Sequence, residues 1–430
     1  MNAVFLAIVL IAFGVAAVRQ IAWTGAGAEA PMSVLGTGMI DAAAGSVTLA
    51  IGLVGVMALF LGLMKVAEQG GLLVIIARLL RPLLVRLFPD VPAEHPAMGA
   101  MILNMAANVL GLGNAATPFG IRAMQQLETL NPEKGTATNA MALFLAINTS
   151  SVTLLPTGVI ALRAAAGSTD PAGIVPTTLF ATILSTTVAI VAAKFLEKRW
   201  KAPAVPPGEA AETAPADGLA DVPEVPEGAG GAYPPWVSVT ALSAVAALVP
   251  LTVLYGRAVA PWIIPGLMVG LLSFGALRGV RVYEAFVEGA KDGFNVALRI
   301  IPYLVAILVA VGMFRASGAM ELLIQPLGAV TELVGLPAEA LPMALLRPLS
   351  GSGAYGILAS IIQDPAVGPD SYVGYLVSTF QGSTETTFYV LAVYFGAVGI
   401  RRIRHALAAA LLADIAGICG AVFIVGMLYG

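Results

Sequence analysis

The chain has 430 residues, of which 58% are hydrophobic and 11% are charged, and its net charge is −3. Apolar runs of this length predict a helical integral membrane protein, and the small net charge points to no particular partner because most of the mass lies in lipid. A single cysteine, Cys419, excludes a disulfide framework and a multi-cysteine metal or iron–sulfur site. The only two histidines, His95 and His405, argue against a histidine metal centre.

The first half of the chain opens with apolar segments. Residues 1–18 lack a basic leader region and are expected to form a transmembrane helix, with a signal peptide cleaved near 28–30 as the alternative. A short segment at 37–46 precedes an apolar span at 47–64. Residues 72–88 carry arginines at helical spacing among leucines, which predicts an amphipathic helix on the membrane surface.

A helical hairpin is predicted next. Two apolar arms, 97–110 and 115–127, flank the sequence Gly111-Leu112-Gly113-Asn114. Each arm has roughly 13 residues and reaches about 20 Å as a helix, which is too short for the roughly 30 Å of hydrocarbon. A re-entrant hairpin that enters and leaves on one side therefore fits better than two spans.

The segment at 138–163 is apolar at both ends and polar in the middle, at 148–157. Amides and hydroxyls at mid-membrane depth are costly unless they face a cavity, an ion or a ligand. Pro156 reinforces the interruption because it removes one helical hydrogen bond. The pattern predicts a broken transmembrane helix that lines a site.

An apolar span at 174–196 ends the first half, and the sequence then changes character. Residues 202–233 are rich in Pro, Ala, Gly and Glu, which is typical of a flexible linker. Two further spans are predicted at 234–254 and 259–277.

The second half repeats the first at a length that indicates internal duplication. The counterparts are a surface helix, a span, a hairpin tip, a polar break and a final span, at 280–293, 295–313, 350–353, 381–387 and 403–428. In the two polar breaks Asn148 corresponds to Gln381, Ser150 to Ser383, Ser151 to Thr384 and Thr153 to Thr386. Paired broken helices in two halves are the sequence signature of a transporter site.

Charge predicts the orientation. With re-entrant hairpins and a cytoplasmic linker, most Lys and Arg fall on the cytoplasmic side, and a surface helix predicted at 319–333 on the opposite side has neither. The arginines left outside are Arg19, Arg163, Arg257 and Arg315. The chain then crosses the membrane an odd number of times between equivalent positions of the two halves, so the second half is expected to be inverted relative to the first. We predict nine spans and two re-entrant hairpins, with the N-terminus inside.

The predicted fold class is an all-α integral membrane protein with two inverted repeats, re-entrant helical hairpins and broken transmembrane helices, like a transporter. The predicted parts are an N-terminal helix and loop, a first repeat, a linker, and a second repeat with two preceding helices, at 1–35, 36–201, 202–233 and 234–430.

Several motifs carry a family resemblance. Asn148-Thr149-Ser150-Ser151, with His95-Pro96-Ala97-Met98 and Gly111-Leu112-Gly113-Asn114 upstream, resembles bacterial spore maturation protein A. Gln381-Gly382-Ser383-Thr384-Glu385, with Arg347-Pro348 and Tyr394-Phe395-Gly396, resembles spore maturation protein B. The likeness covers nearly the whole chain on both sides of the linker, as in a fusion of the two.

This resemblance implies the Gate, or nucleoside-recognition, domain, which is thought to be related to concentrative nucleoside transporters and to the membrane part of ferrous iron transporter B. It implies a multi-pass protein of the bacterial cytoplasmic (inner) membrane with a role in transport and, in spore-forming hosts, in dehydration of the spore core. A ferrous iron role is disfavoured here, because no cysteine or histidine lies near the polar breaks.

Glu385 is the strongest candidate, as an acid among hydroxyls inside an apolar segment. It would carry a coupling proton or sodium ion or bind a polar solute; the alternative is a structural carboxyl that is protonated or paired with Arg347. The other candidates for substrate binding in the two breaks supply neutral hydrogen-bond donors and acceptors: Asn148, Thr149, Ser150, Ser151, Thr153, Gln381, Ser383, Thr384 and Thr386. Their alternative role is hydrogen bonding between helices.

The hairpins add Asn114, Ser352 and Arg347 to the candidate site. Gly- and Ser-rich tips expose backbone N–H groups, and the helix that follows offers its positive dipole end to an anion. The alternative is a tight turn that needs glycine. Arg347 either binds a carboxylate or phosphate of a substrate or offsets Glu385.

No catalytic triad or phosphate-binding loop is found, so we expect a protein that is not an enzyme. The sequence favours a secondary active or facilitative transporter of a small polar solute, with a nucleoside-like solute as one candidate and alternating access as the mechanism. The alternatives are a non-transporting assembly or sensor factor and an ion or water channel. We expect no cofactor beyond a coupling Na⁺ or H⁺. We also expect no nucleic acid polymer as a partner. The partners that we expect are the solute and the surrounding lipid bilayer, and the chain could assemble as a homo-oligomer.

Overall fold

The structure is a computed structural model that describes residues 2–25, 29–200, 231–320, 322, 327–328 and 331–430. Within these ranges the regular structure is helical, apart from one isolated bridge between Thr136 and Arg402. Most of the predicted linker and part of the predicted helix at 319–333 lie outside the described residues. Three of the described helical segments are long and apolar enough to cross a membrane: Pro31–Gln69, Pro171–Glu197 and Ala406–Tyr429.

The helices of the first half lie in the order that the hydropathy pattern predicts. They are α1 (Asn2–Ile21), α2 (Pro31–Gln69), α3 (Leu72–Leu87), α4 (Pro96–Val109), α5 (Gly113–Thr129), α6 (Asn139–Thr149), α7 (Thr157–Ala165) and α8 (Ile174–Glu197). The described helices of the second half are α9 (Pro235–Leu277), α10 (Val282–Ala316), α11 (Leu341–Leu346), α12 (Gly351–Ile362), α13 (Tyr372–Ser383), α14 (Thr387–Gly396) and α15 (Ala406–Tyr429).

Both hairpins and both broken helices are present. The first hairpin is α4 and α5, and the second is α11 and α12; the first break, 150–156, separates α6 from α7, and the second, 384–386, separates α13 from α14. Side-chain caps start several of these helices, because a hydroxyl satisfies a backbone N–H at the helix start. Thr138 caps α6, Ser350 caps α12 and Ser371 caps α13.

Three long helices replace elements that the sequence divides. α2 joins the segments at 37–46 and 47–64, and α10 joins those at 280–293 and 295–313. The prediction of two spans at 234–277 is wrong, since α9 is one helix of 43 residues, about 64 Å long. The hydropathy of the sequence indicates where the chain leaves an apolar environment. The backbone hydrogen bonds of a helix can continue past that point, so hydropathy does not mark the end of the helix.

Equivalent helices of the two halves run antiparallel, as inverted repeats require. In the α2–α10 pair, Gly38 at one end lies against Ala316, and Gly62 further along lies against Phe286. The approach is close: a methyl group added at Gly293 would lie 2.6 Å from the backbone of Ala58. Small residues therefore let these two helices pack with their backbones nearly in contact.

The α8–α15 pair shows the same reversal. Ser185 of α8 donates a hydrogen bond of 2.8 Å to the carbonyl oxygen of Ala413. At the other end Tyr429 donates one of 2.9 Å to the carbonyl oxygen of Gly173. A two-fold axis that relates the halves thus lies across the helices, and the hairpins and broken helices lie at the centre, where every residue of α6 from Ala140 to Thr149 is buried.

Candidate functional site

The two broken helices lie side by side in opposite directions. Near one end the rings of Phe144 and Tyr394 stack with their centroids 6.0 Å apart. In the middle the backbone N–H of Glu385 donates a hydrogen bond of 2.8 Å to the carbonyl oxygen of Thr149. This bond pairs an N–H group of the second break with a carbonyl group at the end of α6, so each broken helix satisfies one backbone group of the other.

Each hairpin is attached to the broken helix of its own half. In the first half the N–H of Leu154 donates to the carbonyl oxygen of Val109 at 3.0 Å, and in the second the N–H of Phe388 donates to that of Pro348 at 3.1 Å. Gly111 has a left-handed φ of +73°, and a methyl group there would lie 2.5 Å from the carbonyl oxygen of Leu155. Glycine is therefore required at this contact.

A cavity of about 240 Å³ lies where the tips and the breaks meet. It is lined from both hairpins, both breaks and the start of α7: Asn108, Gly111, Thr153, Leu155, Pro156, Thr157, Gly158, Val159, Arg347, Gly351, Tyr355, Gln381, Gly382, Glu385 and Thr386. This is the position at which the sequence places a site. Five of the predicted site residues line it: Thr153, Arg347, Gln381, Glu385 and Thr386.

Arg347 is the central charge of the cavity wall. Its side chain is buried, and it donates a hydrogen bond of 3.0 Å to the hydroxyl of Thr386 and a second one to the carbonyl oxygen of Thr384. The guanidinium is 3.8 Å from the carboxylate of Glu385, which is 55% exposed. Arg347 thus stands opposite Glu385, and the second break holds it in place at the cavity wall.

An amide and phenol network fixes the first hairpin against the breaks. Asn108 donates a hydrogen bond of 2.9 Å to the side-chain oxygen of Asn148, which also accepts one of 3.4 Å from the hydroxyl of Tyr394. Asn104 donates to the Tyr394 oxygen at 3.1 Å. Of these residues Asn108 lines the cavity, and Asn148 lies behind it.

Four of the eight predicted hydroxyl residues bond to the helix that they end or follow. Thr149, Ser150, Ser151 and Ser383 donate to carbonyl oxygens in the last turns of α6 and α13. Such bonds satisfy carbonyl groups that a helix end leaves without a backbone partner. Thr384 contributes its carbonyl to Arg347.

The two remaining candidates lie at the hairpin tips. Ser352 is exposed and is not among the residues that line the cavity. The side chain of Asn114 lies outside the described residues.

The structure also brings residues to the site that the sequence analysis missed. Asp414 of α15 is buried, and it accepts a hydrogen bond of 2.7 Å from the hydroxyl of Thr387 at the start of α14. Tyr355 lines the cavity and donates to the carbonyl oxygen of Gly158 at 3.0 Å. A lone acid in an apolar helix was a signal for Asp414, but Tyr355 had none, because aromatic residues are common in apolar helices.

The far ends of the broken helices are joined by a second charged cluster. Arg163 of α7 is fully buried and donates to the carbonyl oxygen of Pro369 at 2.6 Å and to Asp370 at 3.1 Å. Burial disfavours the Asp370 carboxylate, but hydrogen bonds from Ser168 and Thr169 and the charge of Arg163 outweigh it and hold the pKa of Asp370 below its usual value. The cluster fixes the 166–170 loop to the start of α13.

Comparison with known proteins gives a consistent result. The family described as nucleoside recognition (Gate) matches residues 50–166 and 297–401. Spore maturation protein B of Bacillus subtilis (strain 168) is 47% identical over 167 residues, which are 39% of this chain and 93% of that protein. Spore maturation protein A of the same strain is 48% identical over 156 residues, 36% of this chain and 80% of that protein.

Two solved structures are also similar. One is the YdaH transporter of Alcanivorax borkumensis, with 18% identity, coverage of 98% of this chain and 97% of that one, and a TM-score of 0.46. The other is a variant of CNTnw in an outward-facing state, with 13% identity, coverage of 100% and 99%, and a TM-score of 0.43.

Proposed function

The chain belongs to the Gate nucleoside-recognition family, and we propose that it is a multi-pass membrane transporter of a small polar solute. One observation carries the proposal: polar breaks from two antiparallel halves meet at one cavity, which a buried guanidinium and a carboxylate line. Transporters with inverted repeats bind their substrates at such a place. The two relatives named above come from Bacillus subtilis, which supports a location in a bacterial cytoplasmic membrane.

The solute that fits this cavity carries both donors and acceptors. Arg347 offers N–H groups, and Glu385 offers carboxylate oxygens. Gln381 adds a carboxamide whose Oε1 is buried and has no hydrogen-bond partner among the described residues. A nucleoside-like solute and a solute with a carboxylate group both satisfy this set, and Na⁺ or H⁺ would be the coupling ion.

The proposed mechanism is alternating access. The cavity lies between hairpin tips that approach from opposite halves, and each tip is attached to a break by a few hydrogen bonds. Movement of one tip with its break would open the cavity to one side while the other tip keeps it closed. The solute would then cross by rearrangement of the halves around a fixed site.

A second candidate is a spore-maturation factor that keeps a ligand pocket without transport. The names of the two relatives favour it, and so does the internal hydrogen bonding of Thr149, Ser150 and Ser151. Flux decides between the two candidates, and saturation of that flux separates a transporter from a channel.

The test is ligand-dependent thermal stabilisation of the detergent-purified protein. The panel holds nucleosides, bases, dicarboxylates, amino acids and divalent cations, each with and without sodium and at two pH values. A ligand at 100 times its Kd stabilises the folded state by about 2.7 kcal/mol. We expect a hit that Glu385→Gln weakens and that Glu339→Gln, a change at an exposed acid outside the cavity, leaves intact.

The hit would then be tested for saturable uptake into proteoliposomes. Binding without uptake would favour the spore-maturation factor. A stable protein that no compound in the panel stabilises would contradict the transporter.

A further inference from the structure

Asp414 is an acid in the middle of an apolar transmembrane helix. Asp414 is 2% exposed, and its Oδ2 accepts the hydrogen bond from the hydroxyl of Thr387. The other oxygen, Oδ1, is buried and has no hydrogen-bond partner among the described residues. A charged carboxylate with an unpaired oxygen in such a place is costly, and taking up a proton removes that cost.

Few charged groups face Asp414 from the helices packed against it, which are α6, α8, α13 and α14. Three of these helices carry no Lys, Arg, Asp or Glu, and their only titratable side chains are tyrosines. α8 carries Lys194 and Glu197 in its last turn, where they pair with each other at 3.5 Å. At the level of Asp414, α8 instead presents Ser185, which bonds to the Ala413 carbonyl oxygen.

The cation that attracts Asp414 is Arg347 of the second hairpin. Two neighbouring residues, the last of the second break and the first of α14, connect the charges: Arg347 donates to the hydroxyl of Thr386, and Thr387 donates to Asp414. Arg347 thus stands between two carboxyl groups. Glu385 is in the cavity, and Asp414 is behind its wall.

The first half shows that the acid is not needed to hold a break. There the last helix contacts its break through Thr186, whose hydroxyl donates to the carbonyl oxygen of Ser150. A neutral hydroxyl on α8 makes the contact that a carboxyl group on α15 makes in the second half. The acid therefore adds a chemical property, which is the ability to change charge.

We propose that Asp414 is a proton-binding site and that its proton controls the charge available to Arg347 at the cavity. With Asp414 protonated, Arg347 is balanced by Glu385 alone; with Asp414 charged, Arg347 faces two carboxylates. An anionic group of a solute would therefore bind better when the proton is present, and the proton would bind better with that group in place. The use of this proton in transport rests on the proposed function, whereas its binding does not.

A metal ion fits this place poorly. Hard cations such as Ca²⁺ and Mg²⁺ take about six or more oxygen ligands. Asp414 has one hydroxyl beside it, and the residues around it on α15 include Ala410, Ala413 and Gly417. Among the described residues no group of three or more His, Cys, Asp or Glu side chains could hold a metal.

Infrared titration of the full-length protein in lipid vesicles tests the proton site directly. Exposed carboxyl groups ionise near pH 4, so a protonated-acid band that remains at about pH 6 reports a buried acid. We expect such a band in the wild type, its loss in Asp414→Asn and its retention in Asp292→Asn, a change at an exposed acid of α10. Thr387→Val removes the donor to Asp414 while keeping the acid, so its band should persist to higher pH than that of the wild type.

Three outcomes overturn the assignment: no band at about pH 6, a band that Asp414→Asn leaves unchanged, or a band that sodium chloride removes and choline chloride does not. The last would assign the site to sodium. If Asp414→Asn does not fold, the shift in Thr387→Val decides, and its absence rejects the assignment.

Proteoliposome uptake driven by a pH gradient separates this proposal from the proposed function. Uptake that loses its dependence on the gradient in Asp414→Asn supports both. A band at Asp414 with no uptake of any solute supports the proton site and rejects transport. Uptake whose gradient dependence survives Asp414→Asn supports transport and rejects the coupling.

Discussion

Arg347 and Glu385 face each other across the cavity wall with very different burial, and this difference predicts unequal effects of mutation. The Arg347 side chain is 5% exposed and that of Glu385 is 55% exposed, with 3.8 Å between the charged atoms. A pair with one exposed member contributes about 0–1 kcal/mol, because solvent screens it. Glu385→Gln should therefore change the free energy of unfolding by less than about 1 kcal/mol.

Arg347→Met removes more than the ion pair. It deletes hydrogen bonds to the Thr386 hydroxyl and to the Thr384 carbonyl oxygen, and bonds from a charged donor contribute roughly 1.5–3 kcal/mol each. We expect a loss of about 3 kcal/mol or more. Urea unfolding in detergent micelles, followed by tryptophan fluorescence, measures both changes, and Arg401→Met at an exposed arginine is the control.

Equal losses for Arg347→Met and Glu385→Gln would refute this reasoning. They would mean that the ion pair, and not the hydrogen bonds to the second break, holds the guanidinium. A negligible effect of Arg347→Met would contradict the description of the second break itself.

The structure makes three further predictions about stability. Gly111→Ala should destabilise the protein by more than about 1 kcal/mol in urea unfolding, because φ is +73° and the first break leaves no space, whereas Gly99→Ala, with nothing within 4 Å, should not. The lowered pKa of Asp370 contributes stability above about pH 4, and that stability is lost as the pH falls through the folded-state pKa. In thermal unfolding, Asp370→Asn should therefore reduce the fall of the melting temperature at acid pH. An unchanged fall would contradict this prediction. Tyr394→Phe should cost roughly 0.5–1.5 kcal/mol by losing its hydrogen bonds to the amide network, and the exposed Tyr389 supplies the control Tyr389→Phe, which should cost less.

The helix breaks and hairpins were predictable because their signals are local. Pro156 and the run of amides and hydroxyls before it interrupt an apolar helix wherever they occur, and Gly111 marks a turn by its neighbours alone. The repeat then paired each feature with a counterpart. The inverted arrangement was expected from a count of membrane crossings that included two spans at 234–277, where the structure has the single helix α9; the contacts between α2 and α10 and between α8 and α15 are what show it.

The direction of each side chain was not predictable. Thr149 and Thr153 read alike in the sequence, yet Thr149 bonds to its own helix and Thr153 lines the cavity. Arg163 and Asp370 are 207 residues apart in the chain, so only the folded structure pairs them. The ends of α2, α9 and α10 were missed since hydropathy follows the environment and not the helical hydrogen bonds.

The central claim is that the cavity opens to both sides of the membrane, and the single cysteine, Cys419, makes a direct measurement simple. In a Cys419→Ser background, Thr153→Cys places a thiol on the cavity wall, and Ala142→Cys, at a fully buried position of α6, is the control. Oriented vesicles would be treated with a membrane-impermeant maleimide from each side in turn. Alternating access predicts labelling of the Thr153→Cys protein from both sides and none of the control; labelling from one side only, at long times and over a range of pH, would contradict it.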